Sequence, residues 1–214
     1  MAEEAGIPFL SGIILAAGAS SRMGRAKQLL PLRGRPLLQR VLDEAVASRL
    51  DEVVLVLGHR AEEIRETLAL PEGGRVRAVV NADWARGQST TLRLALRRAS
   101  PTATAAAILL GDQPGVEAAL IDRVARAFLD AGLPAARPVY SAADGSRVPG
   151  HPVLLARRIW SEVDEIGGDE GARALLAARA DWLLEVPVEG EPPADIDTWE
   201  DYQRAGGTGS TGRG

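Results

Sequence analysis

The sequence contains no cysteine and a single lysine, Lys27. Without cysteine the chain forms no disulfide, no thiolate metal site and no cysteine nucleophile, so a metal would need oxygen ligands or one of the two histidines. No apolar run reaches the length that spans a membrane, and the acidic start MAEEAG does not resemble a signal peptide. We therefore expect a cytoplasmic protein with no membrane partner.

The charge balance also lacks a basic excess. A net charge of −4 argues against a surface for a nucleic acid polymer, so a bound nucleotide is expected to be a small molecule. A length of 214 residues with 46% hydrophobic content suits one domain with a sizeable core. We expect this domain to occupy residues 1–205. The Gly-, Ser- and Thr-rich stretch 206–214 is predicted to be a disordered tail.

Apolar runs alternate along the chain with stretches of helical periodicity. Strands are predicted at 13–16, 51–57, 75–80, 105–110, 134–140 and 182–188. Helices are predicted from Pro36, over 61–68, 89–99 and 117–130, from Asp169 to Ala178, and from Thr198, where Asp201 would complete a capping box. Segment 141–150 reads as turns. This alternation predicts an α/β fold with a doubly wound, mostly parallel sheet.

The stretch from Gly12 to Leu32 organises the chain. A short apolar run ends in a loop of small residues that also carries arginines and the only lysine, Lys27. Such a loop suits a polyphosphate, because glycines let backbone N–H groups approach the anion and a lysine ammonium acts as a mobile point charge. The spacing from Gly18 to Gly24 does not fit G-x-G-x-x-G, and Lys27 is not in a P-loop context. An ordinary strand-to-helix turn with solvated cations is the alternative.

Further polar or glycine positions follow other predicted strands. Gly58, the loop from Asn81 and Asp112 each come directly after a strand, so we expect them at one edge of the sheet. Asp112 is the best candidate for a magnesium ligand, because Mg²⁺ is commonly held by one or two carboxylates and substrate phosphates. A turn aspartate before proline is the competing interpretation.

The pattern LAAGxSxRMGxxKxLLPLxGxPLL, which begins at Leu15, resembles the signature of nucleotidyltransferases that act on molybdopterin-type cofactors. In particular it resembles the molybdenum cofactor cytidylyltransferases, the MocA type of the MobA-like nucleotidyltransferases. The resemblance implies a three-layer α/β/α, Rossmann-like nucleotidyltransferase fold of the kind also called GT-A-like. In this family LAAG accompanies cytosine nucleotides and LAGG guanine nucleotides, so the sequence implies CTP.

The resemblance also implies roles for individual residues. Catalysis would depend on Lys27, Arg22 and Asp112, and Mg²⁺, or alternatively Mn²⁺, would bind Asp112 and Asp197. The implied nucleotide-binding residues are Leu15, Ala16, Ala17, Gly18, Ser20, Arg22, Gly24, Lys27, Gly58, Asp83, Gly87, Gln88, Ser89 and Gly111. The implied acceptor-binding residues are His151, Pro152 and Arg173.

Several of these residues have competing structural interpretations. Ser89 could serve only as a helix N-cap, and His151 could be a structural turn residue. Asp197 could cap the last helix, because Trp199 stands where the family's DIDTPED segment has proline.

The implied reaction transfers CMP from CTP to the phosphate of molybdenum-bound molybdopterin and releases pyrophosphate. One alternative is the same fold with another nucleotide or phosphorylated acceptor. Another is a non-catalytic accessory protein that hands molybdopterin to a client molybdenum hydroxylase. An oxidoreductase with a dinucleotide in the Gly-rich loop is disfavoured, because G-x-G-x-x-G is missing and His59 stands where an acidic ribose partner would be expected.

Overall fold

A computed structural model describes residues 7–141, 145–165 and 171–208 of the chain, with the backbone alone at residues 171 and 174. Within these ranges the strands are β1 Leu10–Ala16, β2 Pro31–Leu32, β3 Arg35–Pro36, β4 Glu52–Leu57, β5 Val76–Val80, β6 Ala105–Leu110, β7 Ala135–Ser141, β8 Arg147–Pro149, β9 Val153–Ala156 and β10 Leu183–Glu189. The α-helices are α1 Leu37–Ala47, α2 Ala61–Thr67, α3 Gln88–Arg98, α4 Ala118–Ala131, α5 Gly171–Ala178 and α6 Trp199–Arg204. Short 3-10 helices cover Ser21–Met23, Lys27–Leu29, Trp84–Arg86, Arg157–Glu165 and Ala180–Trp182.

Eight of these strands form one sheet in the order β10-β7-β9-β6-β1-β4-β5, with β8 paired beside β7. The pairs β1 with β4, β1 with β6, β4 with β5, and β7 with β10 are parallel, whereas β9 runs antiparallel to β6 and β7. The expected mostly parallel α/β sheet is confirmed. Strands β8 and β9 were not predicted, because turn-forming residues surround these two short strands.

Helices cover both faces of the sheet, as the apolar pattern of β1 illustrates. Ile14 packs in a cluster with residues of α1, α2 and α4, whereas Ile13 packs in a second cluster with residues of α3 and α5. Every residue of β1 is buried, because successive side chains enter opposite cores. The fold is a three-layer α/β/α arrangement.

Helix boundaries depart from the predictions by one or two residues. Pro36 precedes α1 instead of occupying its first turn, and α3 begins at Gln88, one residue early. The capping box of α6 forms as predicted: Thr198 Oγ1 accepts a hydrogen bond from the Asp201 amide, and an Asp201 carboxylate oxygen accepts one from the Thr198 amide. Asp169, the predicted cap of α5, lies outside the described residues.

A third apolar cluster joins the loop after β1 to the C-terminal segment. Its buried members are Met23, Leu30, Leu32, Leu37, Ile196 and Tyr202. Gly207 pairs with Leu32 and donates its amide hydrogen to the Tyr202 carbonyl at 2.9 Å. The beginning of the predicted tail 206–214 therefore packs against the domain, and residues 209–214 lie outside the described part of the chain. In the ranges described, the helices are all too short or too polar to cross a bilayer.

Strand β1 lies between β4, which follows it in the βαβ connection, and β6, which enters from the other side. In open α/β sheets a crevice forms beyond the carboxyl ends of the strands at such a switch in strand order. The loops after β1 and β6 therefore share one crevice.

Candidate active site

A cavity of about 760 Å³ opens at this crevice, beyond the carboxyl ends of β1 and β6. The predicted nucleotide-binding residues that line it are Leu15, Ala16, Ala17, Gly18, Ser20, Arg22, Lys27, Gln88 and Gly111. Asp112, Asp197 and Arg173 line the same cavity. The structure thus brings together residues from five separate regions of the chain.

The loop after β1 is held in shape by Gln28, a residue that the sequence analysis missed. Its side chain is almost completely buried, and its Nε2 donates to the carbonyl oxygens of Ala16, at 3.3 Å, and Gly18, at 3.0 Å. The Ser20 hydroxyl donates to Gln28 Oε1 and accepts the Lys27 amide hydrogen, both at 3.2 Å. The signal in the sequence that could have indicated this role is a glutamine directly before the apolar run LLPL. Gln28 therefore fixes the backbone on which Lys27 is mounted.

Four charged residues of the cavity form one connected cluster. Lys27 Nζ lies 2.7 Å from Asp112 Oδ2 and 2.7 Å from Asp197 Oδ1. The second oxygen of Asp197 lies 3.2 Å from Arg22 Nη1. Burial alone would lower the pKa of Lys27, but the charges and hydrogen bonds of Asp112 and Asp197 outweigh it and raise that pKa. The hydrogen bond from Lys27 lowers the pKa of Asp197. Both shifts favour the charged forms of Lys27 and Asp197.

Asp112 keeps one carboxylate oxygen without a protein partner. Its Oδ1 is buried and makes no hydrogen bond, which is costly for a charged group unless a ligand compensates it. Among the described residues no group of three or more His, Cys, Asp or Glu side chains is placed to hold a metal ion. Two carboxylates with an unused oxygen nonetheless fit a magnesium or manganese ion whose other ligands come from substrate phosphates and water.

Gln113 and Asp195, a second pair of residues that the sequence analysis missed, form a hydrogen bond next to Asp112 and Asp197. Gln113 Nε2 donates to Asp195 Oδ1 at 2.6 Å, and the Ile196 amide donates to the Asp112 carbonyl at 3.0 Å. Burial raises the pKa of Asp195, and the neighbouring charge of Asp112 adds to this rise. These contacts join the segment that carries Asp197 to the end of β6.

The start of α3 forms another wall. Gly87 precedes the helix with φ 110°, a conformation open mainly to glycine, and Gln88 and Thr91 line the cavity. Ser89 does not line it: the side chain is buried and the hydroxyl accepts a hydrogen bond from Arg93 at 3.3 Å. Asp83 is exposed and paired with Arg86, away from the lining.

Trp84 and Gly58 show how the walls are packed together. Trp84 lines the cavity and makes an edge-to-face contact with His59 at 5.2 Å between ring centroids. Gly58 lies behind the wall, where a Cβ atom would come within 2.6 Å of the Ala17 carbonyl oxygen and 2.6 Å of Trp84 Cβ. Gly24 takes φ 66° at the end of a 3-10 turn and does not reach the cavity. Gly58 and Gly24 are therefore placed to shape the loops.

The predicted acceptor side is only partly assembled. Arg173 reaches the cavity from α5, whereas Pro152 is buried and His151 is half-buried, and neither of the two lines the cavity. Burial lowers the pKa of His151 to about 4, against the opposing effect of Asp112. His151 is therefore neutral at pH 7 and offers a hydrogen bond instead of a positive charge. The residues preceding α5, 166–170, lie outside the described ranges.

Comparison with known proteins agrees with this architecture. The family model for the MobA-like NTP transferase domain matches residues 12–182. Nicotine blue oxidoreductase of Paenarthrobacter nicotinovorans is 33% identical over 204 residues, which cover 92% of this chain and 97% of that protein. Purine catabolism protein PucB of Bacillus subtilis strain 168 is 34% identical over 209 residues, which cover 91% and 95%.

Solved structures give the same result. Rv0371c from Mycobacterium tuberculosis H37Rv matches with a TM-score of 0.78 and 36% identity, covering 92% of this chain and 97% of that one. A complex of Rv0371c with manganese matches with a TM-score of 0.73 and 34% identity over the same shares. The chain therefore belongs to the MobA-like NTP transferase family and is a nucleotidyltransferase of that type.

Proposed function

We propose that this protein transfers CMP from CTP to the terminal phosphate of a molybdopterin-type acceptor, with molybdenum-bound molybdopterin as the implied substrate. The observation that carries the proposal is the placement of Lys27 between Asp112 and Asp197 in a cavity walled by the Gly-rich loop after β1. Cationic and metal-binding groups are thereby concentrated where a polyphosphate would lie.

In the proposed reaction an oxygen of the acceptor phosphate attacks the α-phosphorus of CTP in line. A new P–O bond forms, the bond from the α-phosphorus to the bridging oxygen breaks, and pyrophosphate leaves with that electron pair. Lys27 and Arg22 would stabilise the charge that develops on the phosphate oxygens, and the loop amides would orient the chain of phosphates. Asp112 and Asp197 would hold Mg²⁺ or Mn²⁺, which when bound neutralises phosphate charge.

The choice of cytosine follows from the Ala16-Ala17-Gly18 segment by resemblance, and that of the acceptor from the resemblance of the segments around His151 and Arg173. Neutral His151 would contribute a hydrogen bond, and Arg173 a charge, to a phosphate-bearing pterin. The manganese complex of the similar Rv0371c supports a divalent ion in this fold.

The name of one relative favours a second candidate, an oxidoreductase. Nicotine blue oxidoreductase covers nearly the whole chain at 33% identity. An oxidoreductase would bind a nicotinamide or flavin dinucleotide and would not release pyrophosphate. Lys27, Asp112 and Asp197 have no evident role in hydride transfer, so the charge cluster favours nucleotidyl transfer.

The deciding experiment measures pyrophosphate release with CTP, GTP or ATP, with and without molybdenum-loaded molybdopterin, in Mg²⁺ and after EDTA treatment. We expect release only with CTP, acceptor and metal together. Release with GTP or ATP would overturn the base assignment and keep the mechanism. Tight acceptor binding without release would support an accessory protein that serves a molybdenum hydroxylase, and oxidation of NADPH with no release would support the oxidoreductase.

A further inference from the structure

The ammonium group of Lys27 lies at the point where the carboxylates of Asp112 and Asp197 converge. Each carboxylate offers one oxygen to Nζ at 2.7 Å, and the Lys27 side chain is only 12% exposed. Arg22 takes the remaining oxygen of Asp197, so three of the four carboxylate oxygens face protein cations. The fourth, Asp112 Oδ1, is buried without a partner.

A divalent metal cannot use the same two oxygens while Lys27 stays in this position. An ammonium group has no lone pair and cannot be a ligand, and Mg²⁺ requires oxygens at about 2.0–2.1 Å in near-octahedral geometry. A metal bridging Asp112 and Asp197 would lie in the space that Nζ now fills. A metal held by both carboxylates therefore requires Lys27 to move away.

The charges lead to the same conclusion. The two carboxylates carry −2 and the two cations in contact with them, Lys27 and Arg22, carry +2. A metal ion approaching alone meets a neutralised cluster that includes an ammonium at short range. A nucleoside triphosphate changes this balance, because its phosphates attract Lys27 and also bring ligands for the metal.

We propose that Lys27 and the divalent metal exchange places. The Lys27 ammonium occupies the metal position between Asp112 and Asp197 until the phosphates of a nucleoside triphosphate attract the ammonium away from the carboxylates. This inference deepens the proposed function and depends on the metal site assigned there. The exchange makes binding of metal and nucleotide mutually dependent, and it keeps the carboxylates paired in the resting protein. It also accounts for a lysine in a chain that otherwise uses arginine, because an ammonium on a flexible stem can move without a fixed bidentate geometry.

The structure limits the movement to the side chain. The Lys27 amide donates to the Ser20 hydroxyl, and Gln28 holds the loop backbone at Ala16 and Gly18. Rotation about the four-carbon stem would move Nζ from the carboxylates into the cavity that Lys27 already lines. No loop needs to open for the exchange.

The test measures binding of Mn²⁺ alone by electron paramagnetic resonance, with the full-length protein and no nucleotide. Lys27→Met removes the ammonium but keeps an unbranched stem. Arg25→Met is the matched control, because it removes one charge from an exposed cation of the same loop. We expect Lys27→Met to bind Mn²⁺ about tenfold or more tightly than the wild type and Arg25→Met to match the wild type. Adding a non-hydrolysable CTP analogue should tighten Mn²⁺ binding in the wild type far more than in Lys27→Met.

Further variants assign the effect to the carboxylates. The double variant Lys27→Met/Asp112→Asn should lose the tight binding. Lys27→Gln provides a second neutral side chain should Lys27→Met fold poorly, as judged by circular dichroism. Mn²⁺ should also raise the melting temperature of Lys27→Met more than that of the wild type, since the ion then replaces the positive charge that Lys27 supplied to the two carboxylates.

Equal Mn²⁺ affinity in the wild type and both neutral variants would overturn the exchange. If such a protein still released pyrophosphate from CTP, the proposed function would stand without it. Conversely, tighter Mn²⁺ binding in Lys27→Met together with no pyrophosphate release by the wild type would support the exchange and overturn the proposed reaction.

Discussion

The main-chain amide of Ile196 donates a hydrogen bond to the carbonyl oxygen of Asp112 at 3.0 Å. This bond connects the residue before Asp197 to Asp112 itself, so the two carboxylates of the site share one backbone link. Farther along, the Tyr202 hydroxyl donates to the Pro31 carbonyl at 2.5 Å and connects α6 to β2. The position of Asp197 thus depends on a segment that lies beyond the residues 12–182 matched by the family model.

The two tyrosines of the chain offer a matched test of this attachment. Tyr202→Phe keeps the ring that packs against Gly207 but removes the hydroxyl bond, so we expect the free energy of unfolding to fall by about 1 kcal/mol. We also expect a lower kcat at little changed KM for CTP. The hydroxyl of Tyr140 is buried without a partner, so Tyr140→Phe should not destabilise the protein. Chemical denaturation that finds equal losses in both variants would contradict this account of α6.

Removal of either central charge should strongly reduce turnover without unfolding the protein. Lys27→Ala and Asp112→Ala each delete a group that faces the cavity, and we expect pyrophosphate release to fall by about two to three orders of magnitude. Arg35→Ala is the control, because Arg35 forms an exposed ion pair with Asp43 outside the cavity, and exposed pairs contribute little. Near-native rates in Lys27→Ala or Asp112→Ala would show that the cluster is not catalytic.

Two glycines should respond differently to an added methyl group. A Cβ on Gly18 meets no atom within 4 Å, so Gly18→Ala should fold normally but intrude on the nucleotide, raising KM for CTP about tenfold. A Cβ on Gly58 would come within 2.6 Å of backbone, so Gly58→Ala should lower the free energy of unfolding by about 1–3 kcal/mol. Thermal melting and steady-state kinetics of the pair separate these effects, and an unstable Gly18→Ala would refute the first.

Glu52 begins β4, at the end of the strand away from the cavity, and it makes the free energy of unfolding depend on pH. Burial alone would raise the pKa of Glu52, but hydrogen bonds from Ser11, Ser100 and Arg77 lower it below its ordinary value of 4.5. The ionised form therefore stabilises the fold above pH 4.5, and this contribution is lost as the pH falls through the lowered folded-state pKa.

Glu52→Gln should reduce the free energy of unfolding at pH 7 by about 2 kcal/mol and flatten its decline in acid. Activity at neutral pH should be retained, because Glu52 lies at the start of β4, far along the strand from the cavity. Denaturation curves between pH 3 and pH 7 compare the two proteins. If the free energy of unfolding of the two proteins falls in parallel as the pH is lowered, Glu52 is not the group responsible for the acid dependence.

Local patterns predicted much of the fold correctly. Strand β6 was predicted at its observed bounds, because a run of six apolar residues between turn formers has few alternatives. Strand β9 was missed, since a four-residue apolar run after Gly150-His151-Pro152 carries no periodicity and its antiparallel place between β6 and β7 is decided by packing. The role of Gln28 was missed for a similar reason: its two carbonyl partners become visible only once the loop is folded.

Local sequence patterns were sufficient to predict the α/β class, the small-residue loop after β1 and the position of Asp112 just after β6. Hydrophobic runs and turn chemistry act over short distances along the chain. The folded structure, by contrast, places Lys27 between Asp112, 85 positions away, and Asp197, 170 positions away. It also decided that His151 is neutral, since desolvation depends on every group packed around the ring. Contacts and electrostatic surroundings of this kind arise from the packing of distant segments, which no local pattern records.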